Sequence, residues 1–357
     1  MRICYLNHDT RGNTGAGQFY NSFSTAVKKI ISGVEIEALT SENILYPNKL
    51  KLLLALPAIR RVLRRCDLIH ALDGWPYGVV AALANIGLKK PFIITAIGTG
   101  AVQPFYSWWK RPIMKWAYRK ADKVVAVSNS TKKEILKFLP DLKIEIIHHG
   151  VDFAKFQSIH AGYQAEAQKL KPYVLSIGSL KKRKGFNYSI EAFAKIAKDF
   201  PDLKYVVVGG GPEREALQLL ITNYKLQNRV IFLENIHPDY VSALYQNAEL
   251  FILLSQDDQK DIEGFGLVFL EAAACGLPVV ATKNTSAEDA IADGKNGFLV
   301  PPKDSAAAAE MMKLILNDRK LKESFAKESI SFANSMTWAK AATAYYAIYQ
   351  NVADTRQ

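Results

Sequence analysis

The 357-residue chain is poor in cysteine: Cys4, Cys66 and Cys275 lie far apart and form no C-x-x-C pair. That excludes a disulfide framework and a cysteine zinc site, and fits a reducing compartment. Long apolar runs are also lacking. The longest nearly uninterrupted stretches, such as Tyr77 to Leu88, fall short of the ~18 residues a spanning helix needs. Polar residues interrupt M-R-I-C-Y-L-N-H-D-T too early for a signal peptide, so it reads as a first strand and the expected location is the cytoplasm. No fixed-period repeat or low-complexity tract is present. Asp257, Asp258 and Asp261 do not make an Asp-x-Asp motif, and the six histidines show no H-E-x-x-H. No metal site, cofactor or metal-assisted chemistry is therefore expected. The absence of a G-x-S-x-G elbow removes the usual acyl-transfer signature.

Two nucleotide motifs fail in the first glycine loop, R-G-N-T-G-A-G-Q-F from Arg11. Gly12 and Gly17 have Walker A spacing, but Gln18 and Phe19 stand where Lys and Ser or Thr are needed. Gly15 and Gly17 begin a dinucleotide fingerprint, but Tyr20 replaces its third glycine. What remains is a loop that allows close approach at a strand's carboxyl end.

Charge, in contrast, is abundant and uneven. The net charge is +12, with 23 Lys and Arg against 11 Asp and Glu in residues 1–165, and 23 against 23 in the rest. The basic half points to an anionic partner. Two segments carry aromatic or apolar residues among cations: Lys49 to Arg65, and F-Y-S-W-W-K-R-P-I-M-K-W-A-Y-R-K from Phe105 to Lys120. Either they form an interfacial surface for anionic lipid, or they are packed helices with a basic outer face. No nucleic-acid-reading motif accompanies the charge.

Strand-like and helix-like segments alternate throughout, which predicts parallel sheets covered by helices. Strands are expected at Arg2–Leu6, Asp67–Ala71, Pro91–Ala96, Lys123–Ser128 and Glu145–His149, with a helix from about Gln18. The pattern restarts with strands at Tyr173–Ile177, Lys204–Val208, Val230–Leu233, Leu250–Leu254 and Pro278–Ala281. Residues 151–172 lack a strong period and read as a connection between domains.

The densest chemistry lies in E-G-F-G-L-V-F-L-E-A-A-A-C-G-L-P-V-V-A, from Glu263 to Ala281. Leu267 to Ala274 reads as a helix buried all round, stopped by Gly276 and Pro278. Glu271 falls about one turn inside it, where an unpaired buried carboxylate would be costly. The helix start favours a phosphate through free amides and the dipole. One short element thus offers Glu271 for hydroxyls, amides for a diphosphate, and Glu263 on the loop, which suits a nucleotide-activated sugar. A plainer reading leaves Glu271 as a dipole complement and the glycines as turn formers. Gly209, Gly210 and Gly211 after a strand line a cleft floor or simply make a tight turn.

On these residues the chain resembles the retaining glycosyltransferases of family 4. The E-x7-E element matches Glu263 and Glu271. The basic clamp matches Arg183 and Lys184 in G-S-L-K-K-R-K-G-F. V-S-N-S-T from Val127, H-G-V-D from His149, and D-G-K-N-G-F-L-V-P-P-K-D from Asp293 follow in the family's order. The resemblance implies an α/β chain with the GT-B fold, two doubly wound Rossmann-like domains facing a central cleft. Residues 1–165 would form the acceptor-side domain and 166–337 the nucleotide-sugar domain, with a helix at about 338–351 folding back on the first.

It further implies a retaining, metal-independent hexosyltransferase of polysaccharide or lipopolysaccharide biosynthesis. Sugar would pass from a UDP-sugar (first choice) or GDP-mannose (second) to a lipid-linked or cell-surface glycan acceptor, with a peripheral place on the inner membrane face as an extension. Glu271 would bind the ribose and Glu263 the donor sugar. The backbone at Gly264, Phe265, Gly266 and Leu267 would meet sugar and diphosphate, and Lys184 and Arg183 would stabilise the leaving diphosphate. Gly15, Gly17, Gly178, Ser179 and Gly209 would border the ligand. Three departures stand out: Ser179 where the family often has Arg, Ile97 where it has a donor-contacting His, and His149, read as structural, in place of Asn. A nucleotide-sugar epimerase on this fold, and a binding protein that lost turnover, are the alternatives, the latter favoured by Ile97.

Overall fold

A computed structural model of the protein describes residues 1–7, 10, 15–40, 52, 54–257 and 261–354. Residues 11–14 of the first glycine loop, and residues 49–51 and 53 of the first basic segment, lie outside them. Two compact units emerge: one of residues 1–150, 259–265 and 338–357, the other of residues 151–258 and 266–337.

The first unit holds a six-stranded parallel sheet in the order β2 (Glu35–Leu39), β1 (Arg2–Leu6), β3 (Leu68–Ala71), β4 (Phe92–Ala96), β5 (Lys123–Ala126) and β6 (Ile144–Ile146). Its central strands are buried on both faces, hence their unbroken apolar runs. One face is covered by helices Leu56–Arg64, Val79–Ala84 and Lys110–Lys120, through Ile59, Leu63, Val80, Met114 and Ala117. The other is covered by helix Gly15–Ile30, which starts earlier than Gln18, and by the C-terminal helix Trp338–Asp354.

A buried polar chain fixes that last helix. His70 Nδ1 lies 2.9 Å from the Tyr349 hydroxyl and its Nε2 2.7 Å from Thr95 Oγ1. Thr95 also meets Tyr345 at 3.0 Å, and Tyr5 meets Tyr349 at 3.1 Å. Each polar atom here finds a partner, so the chain tolerates its burial.

The second unit has the sheet order β12 (Gly297–Val300), β11 (Val279–Thr282), β10 (Leu250–Leu253), β7 (Tyr173–Ile177), β8 (Lys204–Val208) and β9 (Val230–Leu233), again all parallel. Chain direction across the sheet reverses between β7 and β10, as it does between β1 and β3 in the first unit. Ligands of doubly wound sheets bind at the carboxyl ends of such strands.

Sequence and structure part company in three places. Edge strands β2 and β12 escape the pattern: β2 is E-I-E-A-L with an exposed glutamate at its start, and β12 opens on glycine. Residues 151–172 are not a bare connection. They form helices Phe153–Gln157 and Ala161–Gln168, held by hydrogen bonds of Asn247 to Gln164 (2.5 Å) and of Gln246 to the Phe156 carbonyl (2.7 Å). The chain consequently enters the second unit at Val151, not after 165.

Burial holds the His70 imidazole down at about 3, against 6.5 in an unfolded chain. The unfolded state therefore binds the extra proton first, and this contribution to stability is lost as pH falls below 6.5. His70→Gln cannot titrate. The stability difference between wild type and His70→Gln in urea should shrink by about 2 kcal/mol on going from about pH 7.5 to about pH 5. A difference independent of pH would show that His70 is not held neutral.

Candidate active site

In the second unit the loop after β7 runs on beside the end of its neighbour β8. Gly178 N–H donates to Val208 O (3.0 Å) and Leu180 N–H to Gly210 O (2.9 Å). A 3-10 turn at Lys182–Lys184 then ends on Gly185, whose φ is +62°. A Cβ at Gly185 would stand 1.8 Å from the Leu254 carbonyl oxygen, so only glycine lets this turn press against the end of β10. Gln256 N–H completes the join by donating to Arg183 O at 2.6 Å. Lys184 is buried, and its ammonium lies 3.7 Å from the Cβ position of Gly178. Arg183 is half-buried and Ser179 exposed. Gly209 makes a second backbone contact, its Cβ position being 2.1 Å from Gly178 O.

Helix Leu267–Ala274 follows β10 and starts from Gly266 at φ +75°. Gly276 at φ +70° ends it, with its N–H on Ala273 O at 2.9 Å. Phe269, Leu270 and Ala272–Ala274 are buried, while Leu267, Val268 and Glu271 are half-buried. Glu271 Oε2 accepts from the Tyr245 hydroxyl at 3.0 Å. Enclosure of its carboxyl raises its pKa; the Tyr245 hydrogen bond and then the charges of Lys155 and Lys184 pull the other way. Glu271 and Lys184 are thus brought together, along with Lys155, which the sequence did not single out.

Glu263, Gly264 and Phe265 belong instead to the first unit, so the E-x7-E element is divided after Phe265. Gly264 packs on the loop after β4: its Cβ position is 1.9 Å from Ile97 O, and that of Gly98 is 2.9 Å from Gly264 Cα. Thr99 Oγ1 lies 2.7 Å from Asp261 Oδ1 and 3.0 Å from Ile262 O. Glu263 is buried beside this join. Phe265 packs at a tilt against His148 (5.6 Å) and His149 (5.1 Å), and His149 also stacks on Phe19 (4.6 Å) and tilts against Trp338 (5.5 Å). Burial among rings pushes the His149 imidazole down to about 3. Gly15 and Gly17 fall in the first turn of helix Gly15–Ile30.

Asp73 escaped the sequence reading. It follows β3, and its Oδ1 accepts from Gly74 N–H at 2.8 Å. Burial pushes its carboxyl up to about 7, against the opposing amides of Gly74 and Ile97. A Cβ at Gly100 would stand 2.0 Å from its Oδ2. The first unit therefore offers a carboxyl able to hold or release a proton near neutral pH.

Residues 163–332 match the family described as Glycosyl transferases group 1, and residues 25–155 match Glycosyltransferase Family 4. The chain belongs to the family 4 glycosyltransferases of the GT-B fold. It is 28% identical over 279 residues to the GDP-mannose-dependent alpha-(1-6)-phosphatidylinositol monomannoside mannosyltransferase of Mycolicibacterium smegmatis, covering 75% of this chain and 73% of that protein. Over 296 residues it is 27% identical to the N-acetyl-alpha-D-glucosaminyl L-malate synthase of Bacillus anthracis, covering 80% and 76%. Anabaena HepE, solved with UDP and glucose, shares the fold at a TM-score of 0.81 and 22% identity, covering 98% of this chain and 99% of that one.

Gly185→Ala forces a side chain into the Leu254 carbonyl and should cost more than ~2 kcal/mol in chemical unfolding. Gly162→Ala, where a Cβ meets nothing within 4 Å on a helix, should be neutral or stabilising. Equal effects of the two would contradict the backbone contact.

Proposed function

We propose that this glycosyltransferase retains configuration, needs no metal, and moves a hexose from a nucleotide diphosphate sugar to a hydroxyl of a lipid-linked or cell-surface glycan acceptor. The observation that carries the donor half is buried Lys184 on the loop after β7, whose charge acts to lower the carboxyl of Glu271 on the helix after β10. A UDP-sugar is the first choice of donor and GDP-mannose the second. A solved structure of similar fold holds UDP and glucose, and a relative is named GDP-mannose-dependent.

In this reading Glu271 accepts the ribose hydroxyls and the first-turn amides from Leu267 meet phosphate. Lys184, aided by Arg183, stabilises the charge that develops on the departing diphosphate, often the largest catalytic contribution. Glu263 holds the donor sugar. The departing phosphate oxygen takes the acceptor's proton, so no side-chain nucleophile is needed. The reaction serves polysaccharide or lipopolysaccharide assembly on the cytoplasmic side of the membrane. A nucleotide-sugar-binding protein without turnover is the second reading, favoured by Ile97 after β4.

A thermal-shift screen of UDP, GDP, ADP and their sugars identifies the donor, because a bound ligand raises apparent stability. With that nucleotide, calorimetry should show Glu271→Ala and Lys184→Ala weakened roughly ten- to hundred-fold, the range of one lost charged hydrogen bond. Unchanged affinity in both variants overturns the site. Lys184→Ala should also depress turnover, whereas wild type with no transfer to any crude lipid acceptor would favour the second reading.

A further inference from the structure

The two basic segments of the first unit meet in one helix layer. Helices Leu56–Arg64, Val79–Ala84 and Lys110–Lys120 share a core on one face of the first sheet. Arg60 ties the first to the end of the second, donating to Ala84 O (2.8 Å) and Ile86 O (2.7 Å). The outer side of this layer exposes Arg61, Arg64, Lys89, Arg111, Arg119 and Lys120. Residues 74–121 contain seven Lys and Arg and no Asp or Glu.

Large apolar groups stand among these cations. Trp108 is 84% exposed, Trp109 46% and Ile113 37%. Trp109 packs edge-on against Trp75 at 5.8 Å, and Lys110 Nζ lies 5.3 Å and 5.1 Å from the two rings. Trp75 Nε1 is buried with no hydrogen-bond partner among the described residues. Trp75 follows Asp73, so this aromatic end of the layer lies at the carboxyl edge of the sheet.

We propose that the outer face of this layer docks on an anionic bilayer, with Trp108, Trp109 and Ile113 entering the headgroup region and the cations facing acidic lipid. Charge complementarity selects a polyanion. The exposed tryptophans select a bilayer over a polyanion in water, because an indole gains most at an apolar–polar boundary. The surface gives a definite place to the membrane association put forward with the proposed function, and it leaves the carboxyl edge beside Asp73 next to the lipid. It is tested without donor or acceptor, so its failure leaves the transfer reaction standing.

The test is sedimentation of the full chain with vesicles of phosphatidylcholine, with and without phosphatidylglycerol. The chain should bind only the phosphatidylglycerol vesicles, more weakly as salt rises. Arg119→Glu with Lys120→Glu should weaken binding about tenfold or more, since each basic residue near such a surface contributes ~1 kcal/mol. Trp108→Ala, at an exposed position, should weaken it with no change in melting temperature. Lys195→Glu with Lys198→Glu changes the net charge equally on the second unit and should have no effect. Equal loss from both charge pairs, equal binding to phosphatidylcholine alone, or no binding at all overturns the surface. So does binding to duplex DNA as tight as to vesicles and indifferent to Trp108→Ala, which would mark a merely electrostatic patch.

Discussion

The candidate site of the second unit depends on main chain touching main chain. Gly185 against the Leu254 carbonyl and Gly209 against the Gly178 carbonyl are contacts that a single methyl group would break. They pull the loop after β7 down onto the ends of its neighbours β8 and β10. Only because that loop is pulled down does Lys184 lie buried at the strand ends instead of waving in water. The first unit uses the same device where Gly98 meets Gly264, and there the result is a fixed place for Glu263. In both units, loss of a side chain at one position lets a charged side chain be held at another.

The electrostatics follow from that enclosure. A carboxyl raised by burial, one hydroxyl donor at Tyr245 and two nearby ammonium groups make a partly compensated set. Enclosing such a set is costly, and each compensating hydrogen bond or charge counts for more there than in water. In the proposed reading, a diphosphate would bring negative charge to Lys184 and a ribose would bring donors to the Glu271 carboxylate. The protein thereby keeps its charged groups where folding alone would not favour them, a common mark of a binding site.

Much of this was legible in the sequence, for identifiable reasons. Interior strands of parallel sheets must be apolar on both faces, so they read as Val- and Ile-rich runs such as K-Y-V-V-V. The helix carrying Glu271 showed its bounds through Gly266, Gly276 and Pro278. Two edge strands, β2 with its alternating glutamates and β12 opening on glycine, give no such run and escape the pattern, whereas the edge strands β6 and β9 keep theirs. Helices at 153–168 are anchored through glutamine and asparagine amides, to which hydrophobic periodicity is blind. Asp73, Lys155 and Tyr245 gained meaning only from neighbours far away in the chain: Ile97 and Gly100 for the first, Glu271 for the other two. The resemblance named the motifs, but not the division of the E-x7-E element after Phe265.

The return of the last helix to the first sheet has a consequence for biosynthesis. Ribosomes deliver the chain from its N-terminus at ~5–20 residues per second, and domains tend to fold as they emerge. The first sheet emerges early, yet His70 and Thr95 lack Tyr349 and Tyr345 until those residues have been made. The second unit has by then received all of its chain. The part made first is thus finished last, and a ribosome stalled before residue 345 would leave a nascent chain with an open, polar-lined seam for chaperones to shield.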